Sequence, residues 1–185
     1  MDKTYNVAVI VGSLRKGSYS GMTAQALSTS APEALHLERV DIGALPLYDQ
    51  DLDADPPKEW VEFRNRVRGS DAVLFITPEY NRSVPGVLKN AIDVGSRPYG
   101  HSVWDGKPGA VVSVSPGAIG GFGANHHLRQ SLVFLNVPAM QQPEAYVGGV
   151  AQLFDAAGHV VSDTTKDFFK NFMAAFAVWV AKHNR

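Results

Sequence analysis

The sequence predicts an α/β fold. It is a three-layer sandwich in which a five-stranded parallel sheet, order 2-1-3-4-5, lies between helices, in a single domain over residues 1–185. Three observations predict it. Val7 to Val11, Asp71 to Thr77 and Gly109 to Val114 are essentially apolar runs without polar alternation, the pattern of strands buried on both faces. Each run ends sharply in a turn rich in Gly, Pro or hydroxyls. Helix-compatible segments separate the runs, as parallel pairing requires.

The first run breaks at Gly12, and Ser13 to Ser20 leads into a helix from Gly21 to about Ser28. Such a turn aims backbone N–H groups, hydroxyls and the positive helix end at one spot, which suits an anion and phosphate above all. Arg15 and Lys16 add cations there. Gly12 and Gly17 have the Walker A separation, but Ser18 stands where the lysine belongs, which argues against an ATP or GTP site. The dinucleotide pattern G-x-G-x-x-G is also incomplete, and Gly17 to Gly21 misses the G-x-S-x-G elbow by one position. A serine-rich loop with one arginine, lacking the P-loop lysine, fits a terminal monophosphate such as that of FMN. The alternative is an ordinary strand-to-helix turn capped by Ser18 or Ser20.

Leu35 to Val40 alternates and reads as the second strand; Asp41 after it reads as an acidic loop residue. The loop Gly43 to Pro57 carries Asp49, Asp51, Asp53 and Asp55 without the Gly and Glu of a calcium loop, so it reads as solvated surface. Leu45, Leu47 and Tyr48 within it are apolar enough to meet a partner. Lys58 to Arg68 is an amphipathic helix with Trp60, Phe63 and Val67 on one side and Arg64, Arg66 and Arg68 as a solvated face.

The strand ending at Thr77 exits through Pro78-Glu79-Tyr80-Asn81-Arg82, and Pro85 suits the first turn of a helix from Gly86 to about Gly95. In the order 2-1-3-4-5 the strand order reverses between the first and third strands, and open sheets bind ligands there. That topology brings Ser13–Ser20 beside Pro78–Arg82. The strand Gly109 to Val114 leaves through Ser115 to Ala124, with glycines at 117, 120, 121 and 123. These allow close backbone approach to a flat ligand. A helix follows from Asn125, with His126 and His127 on different faces and therefore no metal pair. The fifth strand is expected around Ala139–Gln141, and Thr164 to Lys182 is a final amphipathic helix whose aromatic stripe faces the core.

At 185 residues the chain can bury roughly 70% of its unfolded surface. Seventeen basic and eighteen acidic residues leave no field to recruit nucleic acid or an anionic membrane. The absence of cysteine excludes disulfides, thiolate metal sites and a cysteine nucleophile. No secretory hydrophobic region follows Met1, and the apolar run Met173–Ala181 is too short to span a bilayer, so a cytoplasmic protein is expected.

Gly12-Ser13-Leu14-Arg15-Lys16-Gly17-Ser18, Thr77-Pro78-Glu79-Tyr80-Asn81, Val84 to Asp93 and the Ser115–Gly123 loop together resemble the NAD(P)H-dependent FMN reductases. Within them the chain most resembles the bacterial chromate and quinone reductases. The resemblance runs over nearly the whole chain. It implies a flavodoxin-like fold, non-covalently bound FMN, NAD(P)H as electron donor, and quinones with chromate as acceptors. It also implies ping-pong chemistry carried by the flavin with no catalytic side chain, and a homodimer or homotetramer. Carried onto this sequence, it assigns phosphate contacts to Ser13, Arg15, Ser18, Tyr19 and Ser20. Isoalloxazine and ribityl contacts go to Pro78, Glu79, Tyr80, Asn81, Ser115 and Gly117. Arg82, where relatives often carry Tyr, is assigned to the acceptor. Leu47-Tyr48 resembles a segment that approaches the neighbouring subunit's flavin, and Asp93 and Arg97 make either interface contacts or an ion pair within the chain. The alternative function is a flavodoxin-like electron carrier without NAD(P)H turnover of its own.

Overall fold

A computed structural model describes residues 3–184. Strands β1 (Tyr5–Val11), β2 (Leu35–Val40), β3 (Ala72–Pro78), β4 (Gly109–Val114) and β5 (Ala145–Val147) form one parallel sheet in the order β2-β1-β3-β4-β5. Helices α1 (Tyr19–Thr29), α2 (Lys58–Arg68), α3 (Gly86–Gly95), α4 (Phe122–Phe134) and α5 (Asp163–His183) cover its two faces. Fold class and strand order are those the sequence predicts.

The period-two pleat divides each apolar run between two cores. Val7, Val9 and Val11 of β1 and Leu74 and Ile76 of β3 pack with Leu27 of α1 and Phe169, Phe172 and Phe176 of α5. Ala8, Ile10, Val73 and Phe75 face the other layer, against Trp60, Phe63, Leu88, Trp104 and Leu128. Both faces are covered, so neither alternate position is free to be polar. That is why the central strands read as continuous apolar runs.

Four local expectations are corrected. The fifth strand is Ala145–Val147, not Ala139–Gln141; Ala139 makes only a single bridge to Gly109, and regular pairing to β4 begins at Val112↔Ala145. Helix α1 starts at Tyr19 and α4 at Phe122, each a few residues early, because Ser18 and Gly121 are the caps. Arg64 is not part of a solvated face. It is buried, donates from Nε to the Val94 carbonyl and pairs with Asp53 at 3.6 Å. Asp93 pairs with Lys89, not with Arg97.

Candidate functional site

Three loops at the carboxyl ends of the strands build one crevice. The first follows β1. Gly12 donates its N–H to the Ile76 carbonyl at 2.8 Å, fixing the exit of β1 against β3. A tight turn closed by Ser18 N–H to Arg15 C=O needs the left-handed φ of +64° at Gly17. Ser18 then caps α1, its Oγ accepting from the Gly21 N–H at 3.1 Å. The first turn of α1 carries no acidic residue. Ser13 and Ser20 are more than nine-tenths buried, and among the described residues neither hydroxyl has a hydrogen-bond partner. Two such hydroxyls beside the positive end of a helix make an anion cradle. The Arg15 guanidinium lies over the Tyr19 ring at 5.6 Å.

The second loop follows β3. Tyr80 to Ser83 is a two-residue hairpin closed by N–H···O=C bonds of 2.9 Å in both directions, with positive φ at Asn81 and Arg82. Glu79 ties this hairpin to α4. Its Oε1 accepts from Arg82 at 3.0 Å and its Oε2 from the Ala124 N–H at 3.1 Å. Helix α4 has no side-chain cap of its own at Gly121, so Glu79 supplies a carboxylate to its first turn from another element. The close approach requires Gly123: a Cβ there would stand 2.9 Å from the Arg82 carbonyl and 3.0 Å from Glu79 Oε2.

The third loop follows β4 and lies flat on the exit of β5. Gly149 donates to the Gly117 carbonyl and Val150 to the Ser115 carbonyl. A Cβ on Gly120 would fall 2.6 Å from the Tyr146 carbonyl carbon. Beneath it the buried Asn125 side chain donates to Ser113 and to the Ala145 carbonyl and accepts from Arg129, locking α4, β4 and β5 together. At the outer edge the Tyr146 hydroxyl donates to Glu144 at 2.6 Å and lies 3.0 Å from His126 Nε2, with Phe122 tilted against the His126 ring. Burial of the phenol, then the bond to and charge of Glu144, push the Tyr146 pKa up to about 12. The folded state therefore keeps this proton above pH 10, where the unfolded chain loses it. The stabilisation is complete below about pH 10 and is lost as pH rises from there through about 12. Urea midpoints should fall between pH 9.5 and 11.5 more steeply in the parent than in Tyr146→Phe. Equal slopes would remove Tyr146 as the cause.

The crevice between these loops has a volume of about 220 Å³. Of the residues assigned from the sequence, Ser13, Arg15, Ser18, Tyr19, Ser20, Pro78, Glu79, Tyr80 and Ser115 line it together. Asn81, Arg82 and Gly117 are exposed outside it. Val114, Pro116 and Val150 also line it and were not singled out in the sequence. Val150 follows β5 and reaches the site only through the tertiary fold, so no local signal marks it. Leu47 is 80% exposed, on a loop that Asn90 holds by accepting from Tyr48 N–H and donating to the Leu45 and Pro46 carbonyls.

Residues 5–152 match the family model for NADPH-dependent FMN reductase. The chain is 63% identical to a quinone reductase of Pseudomonas putida over 186 aligned positions, covering 100% of this chain and 99% of that protein. It is 47% identical to a 2-hydroxy-1,4-benzoquinone reductase of Burkholderia sp., over 94% of this chain and 95% of the other. The solved structure of FerB, a flavoenzyme NAD(P)H:(acceptor) oxidoreductase from Paracoccus denitrificans, superposes with a TM-score of 0.92 at 44% identity, covering 97% of this chain and 99% of that one.

Proposed function

The chain belongs to the NADPH-dependent FMN reductase family, a family of NAD(P)H-dependent flavoenzymes, and on that premise we propose that it reduces quinones, with chromate as a further acceptor, by a ping-pong mechanism on bound FMN. The observation that carries this reading is the cradle at the start of α1, where Ser13 and Ser20, largely buried residues whose accessible hydroxyls have no partner among the described residues, adjoin Ser18 and Arg15. These donors fit the monophosphate of FMN in chemistry, and the carboxylate that lines the crevice, Glu79, is already engaged by Arg82 and the Ala124 N–H. The enclosed 220 Å³ is smaller than a pocket that engulfs a whole cofactor, about 300–1,000 Å³. It fits a site that grips the phosphate and chain and leaves a flat ring at the surface.

Bound FMN would supply the redox chemistry, two-electron transfer from NAD(P)H to an oxidant that uses the nucleotide's place. Ser13, Arg15, Ser18, Tyr19 and Ser20 bind the phosphate in this reading. Pro78, Glu79, Tyr80, Asn81, Ser115 and Gly117 hold the ribityl chain and ring, and no side chain acts as nucleophile or metal ligand. Within the glycine loop, the Gly117 and Gly120 N–H groups are already bonded, to Ser115 Oγ and the Gly117 carbonyl. Among the described residues the Ala118, Ile119 and Gly121 N–H groups of this loop have no hydrogen-bond partner and would be available to stabilise negative charge on bound flavin. Arg82, 77% exposed at its side chain, attracts anionic acceptors.

The acting species proposed is a cytoplasmic homodimer or homotetramer. The groove of about 710 Å³ between α3 and α4, edged by exposed Phe134 and the Lys89–Asp93 pair, supports a subunit contact there. Among the described residues no helix is long and apolar enough to cross a membrane.

Arg15→Ala should raise the FMN dissociation constant about tenfold, the worth of one solvent-exposed charge-assisted phosphate contact. An unchanged titration would remove Arg15 from the phosphate site. The mechanism is tested by steady-state NADPH oxidation at several fixed benzoquinone concentrations. Parallel double-reciprocal lines are expected, intersecting lines would exclude ping-pong turnover, and no oxidation at all would favour an electron carrier.

A further inference from the structure

A second cleft lies between α1 and α5, and at about 640 Å³ it is nearly three times the volume of the crevice that holds the proposed cofactor site. One wall is the end of α1 with Ala26 and the turn Ala31-Pro32. A second is the face of α5 carrying Lys166, Lys170 and Ala174, and a third is an arm at Gly158–Val160.

The arm is preformed. Phe154 bridges Val160, the Asp155 N–H donates to the His159 carbonyl, and the Asp155 carboxylate accepts from the N–H groups of Ala157 and His159. Gly158, at φ +85°, lies beside α1, where a Cβ would make ordinary contact with Met22 Cγ at 3.7 Å. The walls therefore stand without a ligand to order them, and the entropy of forming the site is already spent in folding.

The apolar lining is Ala26, Ala31, Pro32 and Val160, all half-buried, with the exposed Ala174, and the charged lining residues are exposed. Lys166 is bound to Asp163 at 2.9 Å, and His159 lies 3.4 Å from Asp155. Lys170 makes no ion pair among the described residues. One carboxylate, Asp167, faces the same cleft. With Lys166 held by Asp163, Lys170 is the lining lysine without an ion pair among the described residues.

The carboxyl end of α1 would normally disfavour an anion nearby. Here the Ser30 N–H donates to the Ala26 and Leu27 carbonyls, the Ala31 N–H to the Ser28 carbonyl and the Ser30 hydroxyl to Ala26, which satisfies most of the last turn. The Gln25 side-chain amide also lines the cleft and has no partner among the described residues.

An apolar slot of ligand size with an uncommitted ammonium and an amide at its rim selects an amphipathic anion. We infer that this cleft is a second ligand site, separate from the flavin crevice, for a small amphipathic monoanion. Its apolar body, one or two rings or a short chain, lies on Ala26, Pro32, Val160 and Ala174, and its carboxylate or sulfonate meets Lys170. The inference stands apart from the redox reading, because it uses none of the residues of the crevice.

The test uses the FMN-loaded protein and 8-anilinonaphthalene-1-sulfonate as probe, with uncharged N-phenyl-1-naphthylamine for comparison. One site of enhanced naphthalene fluorescence is expected, with the anionic probe favoured. Lys170→Glu should weaken the sulfonate about fivefold or more and leave the neutral probe unchanged. Ala174→Phe should reduce both by filling the slot. Both variants should keep the parent circular dichroism and NADPH oxidation rate. Sulfonate binding that ignores both substitutions would overturn the site, since the probe would then lie elsewhere, in the α3–α4 groove for example. Equal loss of both probes in Lys170→Glu would overturn the anion preference. Loss of NADPH oxidation in the parent, with the probe results intact, would count against the redox proposal alone.

Discussion

Gly120→Ala lowers the unfolding temperature by about 10 °C and weakens FMN binding at least about tenfold. The added methyl meets the carbonyl carbon of Tyr146 at 2.6 Å, its oxygen at 2.7 Å and the Gly148 nitrogen at 3.0 Å. All three are backbone atoms of the β5 exit, so no side chain can turn aside. Gly120 also holds φ at +65°, which costs an alanine roughly 1–2 kcal/mol. Overpacking against a fixed backbone adds about 1–3 kcal/mol. Relief requires the glycine loop to lift from β5, and that loop forms one wall of the crevice. Gly86→Ala is the matched control. It lies in the first turn of α3, without a positive φ, and a Cβ there meets nothing within 4 Å. Its unfolding temperature should hold or rise slightly. Equal melting of the two variants would show that the loop is not held against β5 as described.

Glu79→Ala removes the tie between the second loop and α4, with an expected loss of about 2–3 kcal/mol in stability and a ten- to hundredfold rise in the FMN dissociation constant. The larger part comes from the Ala124 N–H, which belongs to a fully buried residue and loses its acceptor. The ion pair with Arg82 contributes less, because that guanidinium is largely in water. What it does supply is an anchor for a non-glycine residue at φ +63°. Both carboxylate oxygens are engaged within the protein, so besides its proposed contact with the cofactor Glu79 would position the walls around it. Glu79→Gln keeps an acceptor for Ala124 and should recover most of the loss. If alanine and glutamine behave alike, the charge on Arg82 is the dominant partner and the cap on α4 is minor.

The central sheet was legible because β1, β3 and β4 are buried on both faces, which forces continuous apolar runs. Strand β5 was not, since its three residues are preceded by Pro143-Glu144 and include a tyrosine turned toward His126. Its apolar neighbour Val137–Met140 reads more like a strand and yields one bridge. Arg64 carried a signal that composition masked. Trp60, Phe63, Arg64 and Val67 fall at i, i+3, i+4 and i+7, so Arg64 occupies a core position of α2, and Asp53 from the acidic loop meets it there.

The meeting of the first two loops followed from topology alone, because strand order reverses between β1 and β3. The hairpin at Asn81-Arg82 was not legible. A turn with two positive φ values ordinarily announces itself with glycine, and here neither residue is one. The commitment of Glu79 to α4 was equally hidden, since it depends on a backbone N–H that lies 45 residues further on.

In the proposed function this crevice binds FMN and passes electrons from NAD(P)H to a quinone. That function is tested most directly by mixing the FMN-loaded protein with NADPH under anaerobic conditions, following flavin absorbance, and then adding benzoquinone. Rapid bleaching by NADPH and return of the oxidised spectrum on addition of the quinone are expected. A bound flavin that both NADPH and NADH leave oxidised, or a protein that does not retain FMN, would contradict the proposed function.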